Sequence, residues 1–93
     1  MAELMFEIWR DDAADEQSMS QISEQGDRVR LATMPNATLV YSFSAVSDFD
    51  AFQKNYDWNG WGIWRPEPQW IERPFTADEA AAQALFIAER NVR

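Results

Sequence analysis

Residues 38–57, TLVYSFSAVSDFDAFQKNYD, decide the fold class, because the spacing of their apolar side chains changes midway. Over Thr38–Ser44 the apolar side chains alternate, which predicts a β-strand. Over Ser47–Asp57 they recur every three or four residues, which predicts an α-helix that begins at a capping serine. A strand followed at once by such a helix is typical of an α+β domain, in which helices cover an antiparallel sheet.

Each of these two elements has one apolar face. The faces consist of Leu39, Tyr41 and Phe43 in the strand and of Phe49, Phe52 and Tyr56 in the helix. We expect them to pack together as the core of the protein. Asn59 and Gly60 predict the end of the helix, because glycine readily adopts the left-handed conformation that closes a helix.

Two more strands are predicted earlier in the chain. Leu4–Trp9 alternates, is rich in residues that favour strands and has apolar residues on both sides, so we expect a central or covered strand. Arg28–Thr33 also alternates, and the turn residues Met34–Asn36 connect it to Thr38–Ser44. This arrangement predicts a hairpin and, with Leu4–Trp9, a small three-stranded, mostly antiparallel sheet.

The second predicted helix, Thr76–Asn91, has a clear beginning, since Thr76 and Glu79 have the spacing of a capping box. We expect it to pack on the same face of the sheet as the first helix, with a Trp-rich loop between them. The residues of its predicted inward stripe are Ala81, Ala84, Leu85, Ala88 and Val92. Phe86 falls on the opposite, polar side, where we expect another surface to cover it.

Residues 11–27 form a long acidic connection for so short a chain. Two interpretations stay open. The connection is a mobile loop, or Met19 and Ile22 hold a short extra strand or turn against the core. The acids do not alternate as the ligands of a calcium-binding loop do, so no calcium site is predicted.

Composition excludes many functions. The 93 residues fit one globular domain, 1–93, and contain no cysteine and no histidine, which excludes thiol and imidazole catalysis and the common zinc sites. We therefore expect no enzyme activity, no cofactor and no bound metal. The net charge of −8 argues against direct binding to nucleic acids or anionic membranes. The acidic N-terminus and the lack of a long apolar run predict a soluble, cytoplasmic protein.

The segment Trp58–Trp70 holds four of the five tryptophans and two of the four prolines. Its indoles can close one end of the core, form a protein-binding surface, or provide a stacking platform for a sugar or a cationic ligand. Trp58 follows the predicted helix directly, so we expect it to be buried. The residues expected on an outward binding face are Trp61, Trp64, Arg65, Trp70 and Phe86.

These features predict a non-catalytic, acidic protein–protein interaction or regulatory module that binds through a Trp-rich surface. The partner is another protein or a second copy of the chain, and a homodimer is expected to bury Phe86, the strand around Trp9 or a sheet edge. Two alternatives stay open: an acidic mimic of nucleic acid that inhibits a DNA- or RNA-binding protein, and a small ligand- or sugar-binding protein.

Overall fold

A computed structural model describes residues 1–92, so the predicted domain boundary at Arg93 lies outside the described residues. The chain forms, in order, the elements β1 (Leu4–Asp11), β2 (Glu16–Gln21), α1 (Glu24–Thr33), β3 (Thr38–Ala45), α2 (Asp48–Asn59) and α3 (Ala77–Asn91). The strands make one antiparallel sheet in the order β2-β1-β3. The predicted α+β class and three-stranded antiparallel sheet are confirmed, with β1 as the central strand.

The acidic connection contains β2, so the second of its two interpretations is correct. β2 pairs with β1 from Phe6↔Gln21 to Asp11↔Glu16 and forms a hairpin with it. Arg10 holds the turn through ion pairs with Asp12 and Asp15. Met19 packs against the core and Ile22 is buried, as expected for residues that attach this segment to the sheet.

The predicted strand Arg28–Thr33 is wrong, because these residues belong to helix α1. The Ser23 side chain accepts a hydrogen bond from the Gly26 N–H and starts the helix. Ion pairs at helical spacing, Arg28 with Glu24 and Arg30 with Asp27, lie along it. The predicted hairpin of Arg28–Thr33 with Thr38–Ser44 is therefore also wrong, and β2 supplies the third strand of the sheet.

Helix α2 begins after the predicted cap, Ser47, and extends two residues beyond the predicted Asp57 to Asn59, where Gly60 ends it with a left-handed φ of 72°. The predicted inward face is wrong, since Ala51 is the buried residue of α2 and Phe52 is exposed. The small Ala51 side chain lets α2 approach the sheet closely, and the large rings on neighbouring faces are left for other contacts. The core cluster consists of Leu4, Phe6, Ile8, Phe43, Ala45, Ala51 and Phe75.

Helix α3 begins with the predicted capping box of Thr76 and Glu79. Its orientation is the reverse of the prediction: the stripe expected to face inward is exposed, with Leu85 69% accessible, and Gln83 is buried at 7%. The reason is hydrogen bonding at the central strand. The Gln83 amide accepts from the Met5 N–H at 2.8 Å and donates to the Met5 and Ile22 carbonyls at 2.9 and 3.1 Å.

Both faces of β1 are covered, in agreement with the prediction of a central or covered strand at Leu4–Trp9. Ala51 of α2 and Ala80 of α3 pack with the core cluster on the Leu4 side. On the other side, Arg90 of α3 forms a two-fold hydrogen-bonded ion pair with the buried Glu7, at 2.8 and 3.2 Å. These contacts fix where α2 and α3 lie, and with them the two ends of the Trp-rich segment.

Candidate aromatic binding surface

The segment between α2 and α3 is anchored at both ends. At its start the Trp61 N–H donates to the Tyr56 carbonyl at 3.0 Å, directly after the left-handed Gly60. At its end the Phe75 N–H donates to the Val46 carbonyl at 2.8 Å, and the Phe75 ring enters the core. The segment is therefore attached to the domain at both ends, although most of its side chains are exposed.

The Gln53 side chain of α2 holds the middle of the segment. Its Oε1 accepts from the Trp64 N–H at 3.0 Å, and its Nε2 donates to the Gly62 carbonyl at 3.1 Å. Gly62 has a φ of 88°, a conformation that residues with a Cβ rarely adopt. The Gly62 carbonyl and the Trp64 N–H are therefore both bonded to one amide of α2, and the Trp64 ring lies against Phe49 and Phe52 of that helix.

Four rings form what we call the aromatic cluster: Phe49, Phe52, Trp64 and Trp70. Trp64 is its centre. Its ring centroid lies 4.8 Å from that of Phe52 in a stacked arrangement and 5.1 Å from that of Phe49 edge to face. Trp70 also stacks on Trp64, with the two ring centroids 6.4 Å apart. These separations are in the range of favourable aromatic pairs.

The aromatic cluster lies open to solvent on its outer side. Trp70 is 51% exposed and Phe52 is also exposed, whereas Trp64 and Phe49 are half-buried. Two branched aliphatic residues of the same segment, Ile63 and Ile71, are even more exposed, Ile71 at 87%. Apolar side chains concentrated in this way on the surface are characteristic of an interaction site.

The structure separates the predicted site residues into different groups. It brings Trp64 and Trp70 together, places Trp61 edge to face on Tyr56 at 5.3 Å, and leaves Arg65 exposed between them in sequence. The prediction that Trp58 is buried is wrong: it is 40% exposed and stacks on Tyr41 of β3. Trp64, expected to point outward, is the half-buried centre of the cluster instead.

Phe86 lies elsewhere. It lines a cavity of about 350 Å³ with Gln83 of its own helix and with Ile22 and Ser23, which connect β2 to α1. It is half-buried on the side of α3 that faces the sheet. Phe86 and the tryptophans therefore do not share one face, and Phe49 and Phe52 accompany Trp64 and Trp70 instead.

Charged groups secure the end of the segment next to α3. The Arg73 guanidinium donates to both carboxylate oxygens of Glu79, at 3.0 and 3.3 Å. This bond, with a further one from the Thr76 N–H, lowers the pKa of Glu79 from 4.5 to about 2. The same carboxylate raises the pKa of Arg73. Nearby, the buried Ser47 hydroxyl donates to Glu72, so both ends of α2 contact the segment.

Across residues 1–92, carboxylates do not gather in groups of three or more that could hold a metal ion. In the same residues, every helix is too short or too polar to cross a lipid bilayer.

The sequence contains a signal for part of this surface that the analysis of periodicity missed. Phe49 and Phe52 are three residues apart in a helix whose capping residue and alanine at position 51 already define a different inward face. These two rings are covered by Trp64, which the Trp-rich segment supplies. Comparison of the chain with protein-family models, with curated proteins and with solved structures gives no match.

Proposed function

We propose that this chain is a non-catalytic protein–protein interaction or regulatory module that binds its partner through the aromatic cluster. The observation that carries the proposal is the exposure of Trp70 and Ile71 on the segment, and of Phe52 on α2 beside it, where Gln53 bonds to the Gly62 and Trp64 backbone. The proposed contact residues are Trp61, Trp64, Arg65 and Trp70 from the sequence analysis, together with Phe52, Ile63 and Ile71.

The residue types at this surface support protein recognition. Tryptophan and arginine are enriched among the few residues that supply most of the binding energy at interfaces. Trp70 is already held in place by stacking on Trp64, which is itself packed on α2. Little side-chain entropy is lost when such a ring is covered, so a preordered aromatic surface favours tight binding.

A nucleic-acid mimic is less well supported as a function. At least seven of the acidic residues form ion pairs within the molecule, which reduces the charge they present to a basic groove. A sugar or cationic ligand that stacks on Trp70 would use the same rings as a protein partner. The experiment must therefore separate all three possibilities.

The test is affinity capture from the native cell extract with three baits: the wild type, Trp70→Ala and Leu85→Ala. Leu85 is the matched control, because it is a large exposed apolar residue on another element. We expect a protein that the wild type and Leu85→Ala baits retain at equal levels and that Trp70→Ala loses. Leu85→Ala should lower the free energy of unfolding by less than about 0.5 kcal/mol and Trp70→Ala, which loses the stack on Trp64, by about 1 kcal/mol, so both baits should stay folded.

Three outcomes contradict the proposal. A partner that Trp70→Ala retains but that high salt removes identifies an acidic mimic, because screening weakens charge attraction and leaves apolar contacts intact. A partner lost equally by both variants does not use the aromatic cluster. Recovery of no protein, together with quenching of tryptophan fluorescence by an oligosaccharide, identifies a ligand platform.

A further inference from the structure

The outer edge of β3 has two halves: the C-terminal half is hydrogen-bonded to other parts of the chain, and the N-terminal half is exposed. In residues 1–92, β3 pairs with β1 on one side only, so its other side is a sheet edge. Met5 directs its backbone groups toward Gln83 and Ile22, on the β2 side. Its neighbour Phe6 therefore faces β3, where it meets Phe43. By alternation, Ser42 and Ser44 direct their backbone groups away from the sheet.

The C-terminal half of this edge is occupied by the protein itself. The Ser44 carbonyl accepts a hydrogen bond from Lys54 Nζ at 2.7 Å. Just beyond the strand, the Val46 carbonyl accepts from the Phe75 N–H, and the Val46 N–H donates to Asp50 Oδ2 at 3.0 Å. Lys54, Asp50 and Phe75 thus supply hydrogen-bond partners to the C-terminal half of the edge.

The N-terminal half, Thr38–Ser42, is left open. All five of its residues are exposed, and Leu39, Val40 and Tyr41 are large apolar residues. The register with β1 passes from Tyr41 to Leu39, so Val40 has no partner residue on β1. Proteins usually protect an edge of this kind with charged residues or proline, and β3 contains neither.

The opposite edge of the sheet is better protected. β2 begins with the charged Glu16 and is short. Helix α1 lies directly against its end, where a Cβ on Gly26 would approach the Gln21 carbonyl oxygen to 2.9 Å. Among the edges formed by residues 1–92, the β3 edge alone combines outward backbone groups, apolar side chains and an absence of charge.

We propose that a second copy of this chain pairs with Thr38–Ser42, antiparallel to it and across a two-fold axis near Val40. The pairing joins two three-stranded sheets into one continuous sheet and brings Leu39 of each copy next to Tyr41 of the other. It removes Leu39, Val40 and Tyr41 from water, and identical strands satisfy one another's outward backbone groups.

Charge explains why a second copy can bind at this edge rather than elsewhere on the surface. Two chains of net charge −8 repel each other over most of their surfaces, so a contact between copies requires an uncharged region. β3 is such a region. The groove beside it, of about 540 Å³, is lined by one basic and one acidic residue, Lys54 and Asp57. Two such grooves brought together therefore contain opposite charges as well as like charges.

The first test is sedimentation velocity over a range of protein concentrations, comparing the wild type with Val40→Glu and Val29→Glu. Val29 is the matched control, because it is an exposed valine on α1 and its substitution adds the same charge. We expect a monomer–dimer equilibrium in the wild type and in Val29→Glu. In Val40→Glu we expect the dissociation constant to rise at least about tenfold, because two carboxylates meet at the two-fold axis.

Salt provides a second signature. Because the two copies repel each other outside the contact, raising sodium chloride from about 0.05 to 0.5 M should strengthen the wild-type dimer. An interface held by ion pairs would respond in the opposite direction.

The second test keeps the proposal falsifiable if Val40→Glu fails to fold. Ser42→Pro removes an outward N–H and leaves the hydrogen bonds between β3 and β1 in place, so it should also give a monomer. In the wild type, amide hydrogen exchange at Ser42 should slow as protein concentration rises. A wild type that stays monomeric at all concentrations overturns the proposal. So does a dimer that Ser42→Pro leaves intact, or one that Trp70→Ala or Leu85→Glu dissociates instead.

Discussion

Gln83 shows how one side chain can complete a β-sheet. Its primary amide has the donor and acceptor of a peptide group, and it bonds to Met5 and Ile22 where β2 ends beside β1. A backbone group buried without a partner is costly, which explains why a polar residue faces inward on α3 while Leu85 stays in water. At the scale of one residue, hydrogen bonding outweighs the burial of a leucine.

This role predicts a large effect for Gln83→Leu. The substitution keeps the size and apolar stem of the side chain but leaves the Met5 N–H without its acceptor. We expect the free energy of unfolding to fall by about 2–3 kcal/mol, measured by urea denaturation. Gln25→Leu, on the exposed surface of α1, is the control and should change it by less than about 0.5 kcal/mol. Equal effects would show that the Gln83 amide has no special role.

The elements differ in how strongly local sequence determines them. α2 and α3 have capping residues at the predicted positions, and their boundaries follow from those residues. α1 is only ten residues long, and Val29 and Leu31, the residues that suggested a strand, are both exposed. With no buried residue in α1, its amphipathic pattern is too weak to be recognised. Its cap at Ser23 and its ion pairs at helical spacing are the better indicators.

The segment that carries the aromatic cluster depends on the conformation of one glycine. At Gly62 a Cβ would have space, since nothing lies within 4 Å of it, but the φ of 88° is unfavourable for alanine. We expect Gly62→Ala to destabilise the left-handed backbone conformation at this position by about 1–2 kcal/mol. It should also speed amide hydrogen exchange at Trp64, whose N–H is bonded to Gln53.

Gly62→Asn is the control for this prediction, because asparagine tolerates a left-handed backbone better than alanine does. Exchange at Trp64 should then lie between the wild-type and alanine values. If the Trp64 amide exchanges as slowly in both variants as in the wild type, the left-handed conformation at Gly62 does not hold the aromatic cluster in place.

Across the whole molecule, one polar network connects the central strand to two helices. Glu7 of β1 binds Arg90 of α3, which also contacts Asp27 of α1 at 3.1 Å. Asp27 in turn pairs with Arg30, whose guanidinium lies 3.6 Å from the centroid of the Trp9 ring. The second face of the sheet is thus held by ion pairs and a cation–π contact, whereas the first face is held by apolar packing.

Breaking this network should loosen the attachment of α3. Arg90→Met leaves the buried Glu7 carboxylate without its main partner, and we expect a loss of about 3 kcal/mol in the free energy of unfolding. Adding Glu7→Gln removes the unpaired charge and should restore about 1 kcal/mol of it in a double-mutant cycle. Arg28→Met, at an exposed ion pair, should cost less than about 0.5 kcal/mol. Additive effects of the two buried substitutions would contradict the coupling.

The sequence by itself determined the features that depend on neighbouring residues. The alternation of Leu4–Trp9 and Thr38–Ser44 identified two strands, and the caps at Ser47 and Thr76 and the glycine at position 60 identified two helices. These signals act over a few residues of chain, so no knowledge of distant contacts is needed to interpret them.

Only the tertiary structure decided which face of each helix turns inward and which aromatic residues stay exposed. α3 faces the sheet with Gln83 and Arg90 because β1 presents the Met5 N–H and the buried Glu7 carboxylate, both more than seventy residues away along the chain. Trp58 is exposed and Trp64 half-buried because Tyr41, Phe49 and Phe52 lie where they do. Such choices balance long-range hydrogen bonds against apolar burial, and periodicity in the sequence records only the second of these.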